Sequence, residues 1–180
     1  MEVTAIILAG GKSSRMGREK GLAGFNGKPL VQSAIDVCKQ ITSEIFISTG
    51  NADYSRFGFP LIPDNFREHG PIGGIEAGLT AAKTSGILVC PCDMPGISLE
   101  ILKRILHQTE GKRAVVAASV QGKVFPVLGW YSKTALSVVQ KQIEKGDFKL
   151  MALLNELQAE TVVVADDEAL LNINYPHDLK

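Results

Sequence analysis

The chain has 180 residues, 45% of them hydrophobic, and 19 basic residues balance 19 acidic ones to give a formal net charge of zero. This length suits a single domain over residues 1–180 that can build one good core. The zero charge argues against a nucleic acid or an anionic membrane as the main partner, because either needs a positive field. No apolar stretch approaches the ~20 residues that a membrane-spanning helix requires.

An apolar strand over residues 3–8 runs into a glycine-rich turn that carries three cations, Lys12, Arg15 and Lys20. Glycines let the backbone pass close to a bulky ligand, because there is no Cβ to collide with it. The cations can then neutralise a string of phosphates. The end of a strand is also where open α/β sheets bind ligands. The turn therefore predicts a nucleoside triphosphate site, and a basic surface loop is the alternative.

Two common phosphate-binding patterns do not fit this turn. The first glycine of a P-loop would fall at Ile6, inside the strand. Gly10, Gly11 and Gly17 do not have the spacing of a dinucleotide-binding fingerprint. A dehydrogenase is excluded on this ground.

Beyond the turn, strand-like runs alternate with helix-like runs, which is typical of parallel βαβ units. The predicted elements in chain order are a helix over 30–41, strands over 44–48 and 59–62, a helix over 71–82, a strand over 86–90, a helix over 98–106, strands over 114–118 and 124–130, helices over 134–145 and 150–157, and a strand over 161–165. Ser98 and Asp147 are candidate helix caps, and Pro176 is a candidate helix start. Strands 114–118 and 124–130 either pair with each other or reach separate parts of the sheet.

The three cysteines, Cys38, Cys90 and Cys92, predict free thiols packed as small hydrophobic groups. Their odd, low number gives no disulfide framework, and the Cys90-Pro91-Cys92 spacing does not suit zinc. The N-terminus runs directly into a strand with no signal-peptide pattern. A cytoplasmic protein is therefore expected.

Five sequence blocks resemble those of the molybdenum cofactor guanylyltransferases, which are small members of the nucleotidyltransferase superfamily. In chain order they are residues 8–20 (LAGGKSSRMGREK), 27–30 (GKPL), 70–75 (GPIGGI), 91–95 (PCDMP) and 172–176 (NINYP). The first block alone indicates only the superfamily, whereas the ordered set spans nearly the whole chain and is much more specific. The resemblance implies an α/β fold, a single-domain Rossmann-like three-layer α/β/α sandwich with a mostly parallel sheet.

The resemblance further implies transfer of GMP from GTP to the terminal phosphate of molybdopterin, with release of pyrophosphate. Gly10-Gly11 together with Gly70-Pro71 resembles the guanine-using branch of the superfamily. Two alternatives stay open: a nucleotidyltransferase that uses CTP or another acceptor such as a sugar phosphate, and a non-catalytic nucleotide-binding module. Besides GTP and molybdopterin, molybdoenzyme maturation proteins are candidate partners.

Three residues are predicted to be catalytic: Arg15, Lys20 and Asp93. The Arg15 guanidinium suits the β and γ phosphates because it binds phosphate oxygens bidentately, and the Lys20 ammonium suits the α phosphate. Asp93 follows an apolar strand and lies between two prolines that stiffen the segment. A carboxylate there can hold Mg²⁺ together with waters and phosphate oxygens, and the resemblance implies that role. The alternative is an aspartate that accepts hydrogen bonds within a turn.

The predicted GTP-binding residues are Leu8, Ala9, Gly10, Gly11, Lys20, Ser48, Asp64, Gly74 and Asp93. The resemblance implies a nucleotide contact for Asp64, whose alternative is a loop Asx turn. Ser48 stands where the family often has asparagine near the ribose or base. Gly74 belongs to a block of glycines that would each weaken a helix by about 1 kcal/mol relative to alanine. A ligand pressed against that face, tight helix–sheet packing, or both would explain the block.

Asn172 and Asn174 are the predicted molybdopterin-binding residues. They lie two positions apart, so both side chains point to the same face of an extended segment, and the resemblance implies that this face is the pterin side. Phe125 replaces the histidine of a common His-Pro pair, so no pterin contact is carried over to it. Glu19 replaces a usual aspartate, which leaves open the hydrogen bond that its longer side chain makes.

Overall fold

The structure, a computed structural model, describes residues 2–10, 19–63, 70–174 and 178. Within these ranges the chain forms a seven-stranded sheet and a small two-stranded one. The helices in the same ranges are all too short or too polar to cross a membrane. The helix start predicted at Pro176 lies outside the described residues.

The described strands and helices follow the predicted order, with ends that shift by a few residues. The strands are β1 (Thr4–Leu8), β2 (Gly24–Phe25), β3 (Lys28–Pro29), β4 (Ile45–Ser48), β5 (Leu61–Ile62), β6 (Gly86–Pro91), β7 (Ala114–Ser119), β8 (Val124–Ser132) and β9 (Glu160–Val164). The α-helices are α1 (Leu30–Cys38), α2 (Pro71–Ala81), α3 (Leu99–Leu106), α4 (Leu136–Glu144) and α5 (Leu150–Leu157). Short 3₁₀ helices occupy Lys20–Leu22, Ala52–Phe57, Lys133–Ala135 and Glu168–Leu170.

The large sheet has the strand order β5-β4-β1-β6-β8-β7-β9. Only β8 among the described strands of this sheet runs antiparallel to its neighbours, so the sheet is mostly parallel, as predicted. Strands β7 and β8 pair with each other, which settles the alternative left open for them. The chain passes from β1 to β4 and β5 on one side, and then returns to β6 on the other side of β1. This reversal of order places a ligand-binding crevice next to β1.

Both faces of the sheet are covered by helices. Ala5 and Ile7 of β1 pack into the cluster that includes α1 and α3, whereas Ile6 packs into the cluster that includes α2, α4 and α5. Every residue of β6 is buried, because a central parallel strand is covered on both faces. The predicted three-layer α/β/α sandwich is therefore confirmed.

The two predicted helix caps have different outcomes. Ser98 Oγ accepts a hydrogen bond from the backbone N of Ile101 at 3.4 Å, so this cap is confirmed. The prediction for Asp147 is wrong, because α5 begins only at Leu150 and its capping position is Lys149, which makes no side-chain cap bond. Asp147 Oδ1 instead accepts from the backbone N of Lys149 at 3.1 Å, in a turn before the helix.

A hairpin formed by β2 and β3 was not predicted. Its turn is Asn26-Gly27, and both residues have positive φ, 49° and 79°. This dipeptide is a strong hairpin signal, because a type I′ turn needs positive φ at both central positions. The hairpin leads directly into α1, whose first residue Leu30 packs with Ala23 and Ile173. The C-terminal segment is thereby attached to the chain that follows the glycine-rich turn.

The three cysteines are free and buried, which confirms their prediction. The pKa of Cys90 is raised mainly by a hydrogen bond with Cys38 and secondarily by burial. Burial is the main cause that raises the pKa of Cys92. Both thiols therefore stay protonated at neutral pH and act as packing groups.

Candidate active site

A cleft of about 610 Å³ opens at the carboxyl ends of β1, β4 and β6, next to the first turn of α2. Leu8, Ser48 and Pro91, the last residues of the three strands, line it. The cleft lies beside β1, where the strand order reverses, and this is the position at which open α/β sheets bind ligands.

The structure brings together the described members of the predicted GTP site. The cleft is lined by Leu8, Ala9, Gly10, Lys20, Ser48, Gly74 and Asp93. Gly11, Arg15 and Asp64 lie outside the described residues, so their roles remain predictions. That the lining residues bind a nucleotide is likewise still a prediction.

Lys20 and Asp93, two of the predicted catalytic residues, are in direct contact. The Nζ atom of Lys20 donates to Asp93 Oδ2 at 2.7 Å and to Asn174 Oδ1 at 2.8 Å. The Lys20 and Asp93 side chains are only 18% and 23% exposed, so water screens their attraction less than that of a surface pair. The contact places a positive and a negative group side by side at the edge of the cleft.

The two asparagines of the predicted molybdopterin site differ in their surroundings. Asn172 is exposed and lines the cleft. Ile173 between them is buried, and its backbone N donates to the backbone O of Asp93 at 2.8 Å. Asn172 and Asn174 therefore lie on the side of this segment opposite the buried Ile173, and their contact with molybdopterin stays a prediction. Asn174, however, contacts Lys20.

The donor set of the cleft fits Mg²⁺ bound partly by substrate. Within the described ranges, no group of three or more His, Cys, Asp or Glu side chains could enclose a metal ion. Among the described residues, the carboxylates of Asp93 and Glu19 line the cleft, and that of Glu19 accepts a hydrogen bond from Tyr54. Mg²⁺ commonly takes one or two carboxylates and completes its coordination with waters and substrate phosphates, so one carboxylate at a nucleotide site is sufficient.

Gly74 of α2 packs tightly onto the ends of β1 and β4. A Cβ at this position would lie 2.6 Å from Leu8 Cδ2 and 2.8 Å from Ser48 Oγ, both closer than real contacts. Gly78, one turn later, packs against Ile6 in the same way, because a Cβ at Gly78 would lie 2.7 Å from Ile6 Cγ1. Helix–sheet packing therefore accounts for both glycines, and a ligand contact at Gly74 stays a prediction.

The comparisons with known proteins agree with this geometry. The family model described as "MobA-like NTP transferase domain" matches residues 5–169. The chain belongs to this family. It is 35% identical over 187 residues to the molybdenum cofactor guanylyltransferase of Polynucleobacter asymbioticus, covering 99% of this chain and 94% of the relative. It is also 35% identical over 179 residues to the Vibrio vulnificus protein of the same name, covering 97% of this chain and 91% of the relative.

A solved structure extends the similarity to the fold. The molybdopterin-guanine dinucleotide biosynthesis protein A of Archaeoglobus fulgidus superimposes with a TM-score of 0.82 at 24% identity, covering 98% of this chain and 95% of that one. The family model and the curated relatives confirm the family predicted from the sequence, and this MobA-like protein is a nucleotidyltransferase.

This MobA-like protein has a buried tyrosine next to its site that the sequence analysis missed. The Tyr54 hydroxyl donates to Glu19 Oε1 at 3.1 Å, which answers the question left open for Glu19. Tyr54 is completely buried, and burial raises its pKa, so the phenol keeps the proton that it donates. A Cβ at Gly21 would clash with this hydroxyl, so the glycine makes room for the contact beside Lys20.

Other parts of the cleft wall were also missed. Residues 49–51 directly follow β4 and line the cleft; their position after a parallel strand was the available signal. Val127 lines it too, whereas Phe125, two positions earlier in β8, is 6% exposed and is not part of the wall.

Proposed function

We propose that this protein transfers the guanylyl group of GTP to the terminal phosphate of molybdopterin and releases pyrophosphate. The two relatives reported above are named molybdenum cofactor guanylyltransferase, and each matches nearly the full chain at 35% identity. The observation that carries the proposal is the contact of Lys20 with Asp93 at the edge of the cleft. In a non-catalytic nucleotide-binding module the same pair would only bind the nucleotide, so turnover separates the two functions.

The reaction is a displacement at the α phosphorus of GTP. An oxygen of the molybdopterin phosphate forms a bond to that phosphorus, while the bond from the phosphorus to the oxygen that bridges it to the β phosphate breaks. The electron pair of the broken bond leaves with pyrophosphate. Because the attacking phosphate is already anionic, no strong general base is required, and catalysis rests on in-line positioning and charge neutralisation.

The predicted site residues divide this work, and of these Arg15 and Asp64 lie outside the described residues. Lys20 stabilises the negative charge that builds up on the α phosphate, and Arg15, which the sequence assigns to the β and γ phosphates, neutralises the leaving group. Asp93 would hold Mg²⁺, which supplies further neutralisation of the phosphates. Nucleotide binding is assigned to residues 8–11 together with Ser48, Asp64 and Gly74.

The acceptor side is assigned to the part of the cleft beside Asn172. The side chain is exposed at the cleft wall, and its amide can both donate to and accept from a pterin or a phosphate. We place the reaction in the cytoplasm, where free thiols such as Cys38, Cys90 and Cys92 stay reduced. Molybdoenzyme maturation proteins are the partners proposed to receive the product.

The experiment is a pyrophosphate-release assay with purified protein, molybdopterin, Mg²⁺ and each of GTP, CTP, ATP and UTP in turn. Release is expected only with GTP, only with molybdopterin present, and not after Mg²⁺ is omitted. The guanine dinucleotide should be identified by mass spectrometry. Preference for CTP, or release that needs a sugar phosphate instead of molybdopterin, would contradict the proposal.

A further inference from the structure

We infer that Asn174 is a positioning residue that holds the Lys20 ammonium in place, whereas Asn172 alone faces the acceptor. The inference rests on the proposed function. The resemblance assigns both asparagines to molybdopterin, whereas here each of them has a different task. It follows from the contact between Asn174 Oδ1 and Lys20 Nζ at 2.8 Å.

Lys20 needs such a support because its side chain is a flexible four-carbon stem that ends in a point charge. Its backbone belongs to a single 3₁₀ turn, Lys20–Leu22. An ammonium has three donors and no acceptor, so its direction is set by the oxygens around it. Asp93 supplies one such oxygen at 2.7 Å and Asn174 supplies a second at 2.8 Å. Two acceptors from different parts of the chain restrict the stem far more than one does.

Asn174 is itself firmly held. Its backbone N donates to Asp178 Oδ2 at 2.8 Å, and the preceding residue, Ile173, donates its backbone N to the backbone O of Asp93 at 2.8 Å. The Ile173 side chain is 8% exposed and packs against Ala23 and Leu30. The amide of Asn174 therefore projects from a backbone that is attached to the end of β6.

The neutral amide matters most when a divalent ion is bound. An ion at Asp93 competes with Lys20 for the same carboxylate, because both are cations that seek its oxygens. An amide oxygen carries no net charge and remains available to the ammonium. Asn174 would then keep Lys20 at the cleft while Asp93 turns to the metal. Asn172, which directly precedes Ile173, lines the cleft and has no such task.

The first test compares Asn174→Ala with Asn172→Ala in steady-state kinetics. Asn174→Ala should lower kcat about 10-fold and leave KM for molybdopterin unchanged, because a misdirected lysine impairs the transition state and not acceptor binding. Asn172→Ala should raise KM for molybdopterin. In the background of Lys20→Ala, Asn174→Ala should cause no further loss, because the group that it positions is gone. A raised molybdopterin KM in Asn174→Ala, or losses that multiply with Lys20→Ala, would overturn the inference.

The second test needs no substrate, so it stands even if the proposed function fails. The ammonium protons of Lys20 are recorded by ¹⁵N NMR of the full chain at low temperature and are assigned by their loss in Lys20→Arg. Hydrogen bonds slow the exchange of these protons with water, so the signal should be seen in the wild type and in Asn172→Ala. It should broaden or vanish in Asn174→Ala. An unchanged signal in Asn174→Ala, with thermal unfolding that shows the variant folded, would refute the positioning role.

Discussion

Lys20 Nζ lies 2.7 Å from Asp93 Oδ2, although the two residues are 73 positions apart in the chain. One side chain comes from the turn region after β1 and the other from the end of β6, and these two strands are parallel neighbours in the sheet. The pairing of β1 with β6 is therefore what brings the proposed metal ligand and the proposed α-phosphate ligand together. The same contact keeps either charge from being left alone at a partly buried position.

Replacing Asp93 should abolish turnover while the fold persists. Asp93→Ala is expected to reduce pyrophosphate release at least ~100-fold, because the proposed metal ligand is lost. Asp93→Asn is the matched variant: it keeps an oxygen acceptor for Lys20 but not the charge, and it should be nearly as inactive. The free energy of unfolding should fall by about 1–3 kcal/mol, because the Lys20 ammonium loses its charged partner at a mostly buried position. Unchanged activity in either variant would remove Asp93 from the chemistry.

A methyl group at Gly74 should damage both the fold and the cleft. Its Cβ would lie 2.6 Å from Leu8 and 2.8 Å from Ser48, so Gly74→Ala should lower the free energy of unfolding by about 1–3 kcal/mol and raise KM for GTP. Gly24→Ala is the control, because a Cβ at Gly24 meets no heavy atom within 4 Å. Denaturant unfolding and nucleotide titration would measure both effects, and equal stability of the two variants would contradict the packing argument.

The hydroxyl of Tyr54 should stabilise the segment that carries Lys20. Tyr54→Phe removes only the donor to Glu19, and it should cost about 2 kcal/mol because a hydrogen bond to a charged group is lost. Glu19→Asp shortens the acceptor and should have a similar effect, while Glu19→Gln keeps an acceptor oxygen and should be milder. In a double-mutant cycle, the effects of Tyr54→Phe and Glu19→Asp on the free energy of unfolding should be strongly non-additive. Simple additivity would show that the two side chains do not act through each other.

Stability should fall in alkaline solution. Burial raises the pKa values of Tyr54 and Tyr131 above their usual 10.0, so the folded chain retains protons that the unfolded chain releases. Their contribution is complete below pH 10 and declines above it, by up to about 1.4 kcal/mol per pH unit for each group. The pKa values of the buried thiols Cys90 and Cys92 are also raised above their usual 9.0, so these groups lower the stability further as the pH rises above 9. Urea unfolding from about pH 8 to 11 would measure the slope, which should be shallower in Tyr131→Phe. A flat profile would contradict the assignment.

The order of strands and helices was predictable because its signals are local. Apolar runs mark β1 and β6, helical spacing marks α1 and α3, and Ser98 stands directly before the helix that it caps. The Asn26-Gly27 hairpin was missed although its signal was present. The helix start predicted at Asp147 was too early. Capping depends on the residue immediately before the first turn, and in α5 that residue is Lys149.

The alternation of strand-like and helix-like runs predicted an α/β fold, and the ordered sequence blocks carried the resemblance to the nucleotidyltransferases, including the glycine-rich turn after the first strand. Periodicity and turn chemistry act over a few residues, so they can be recognised in the linear chain. The tertiary structure alone decided that Asn174 reaches Lys20, that Tyr54 reaches Glu19 and that Gly74 is a packing glycine. Each of these contacts joins segments far apart in the chain, and they meet only because the strands pair in one particular order and register.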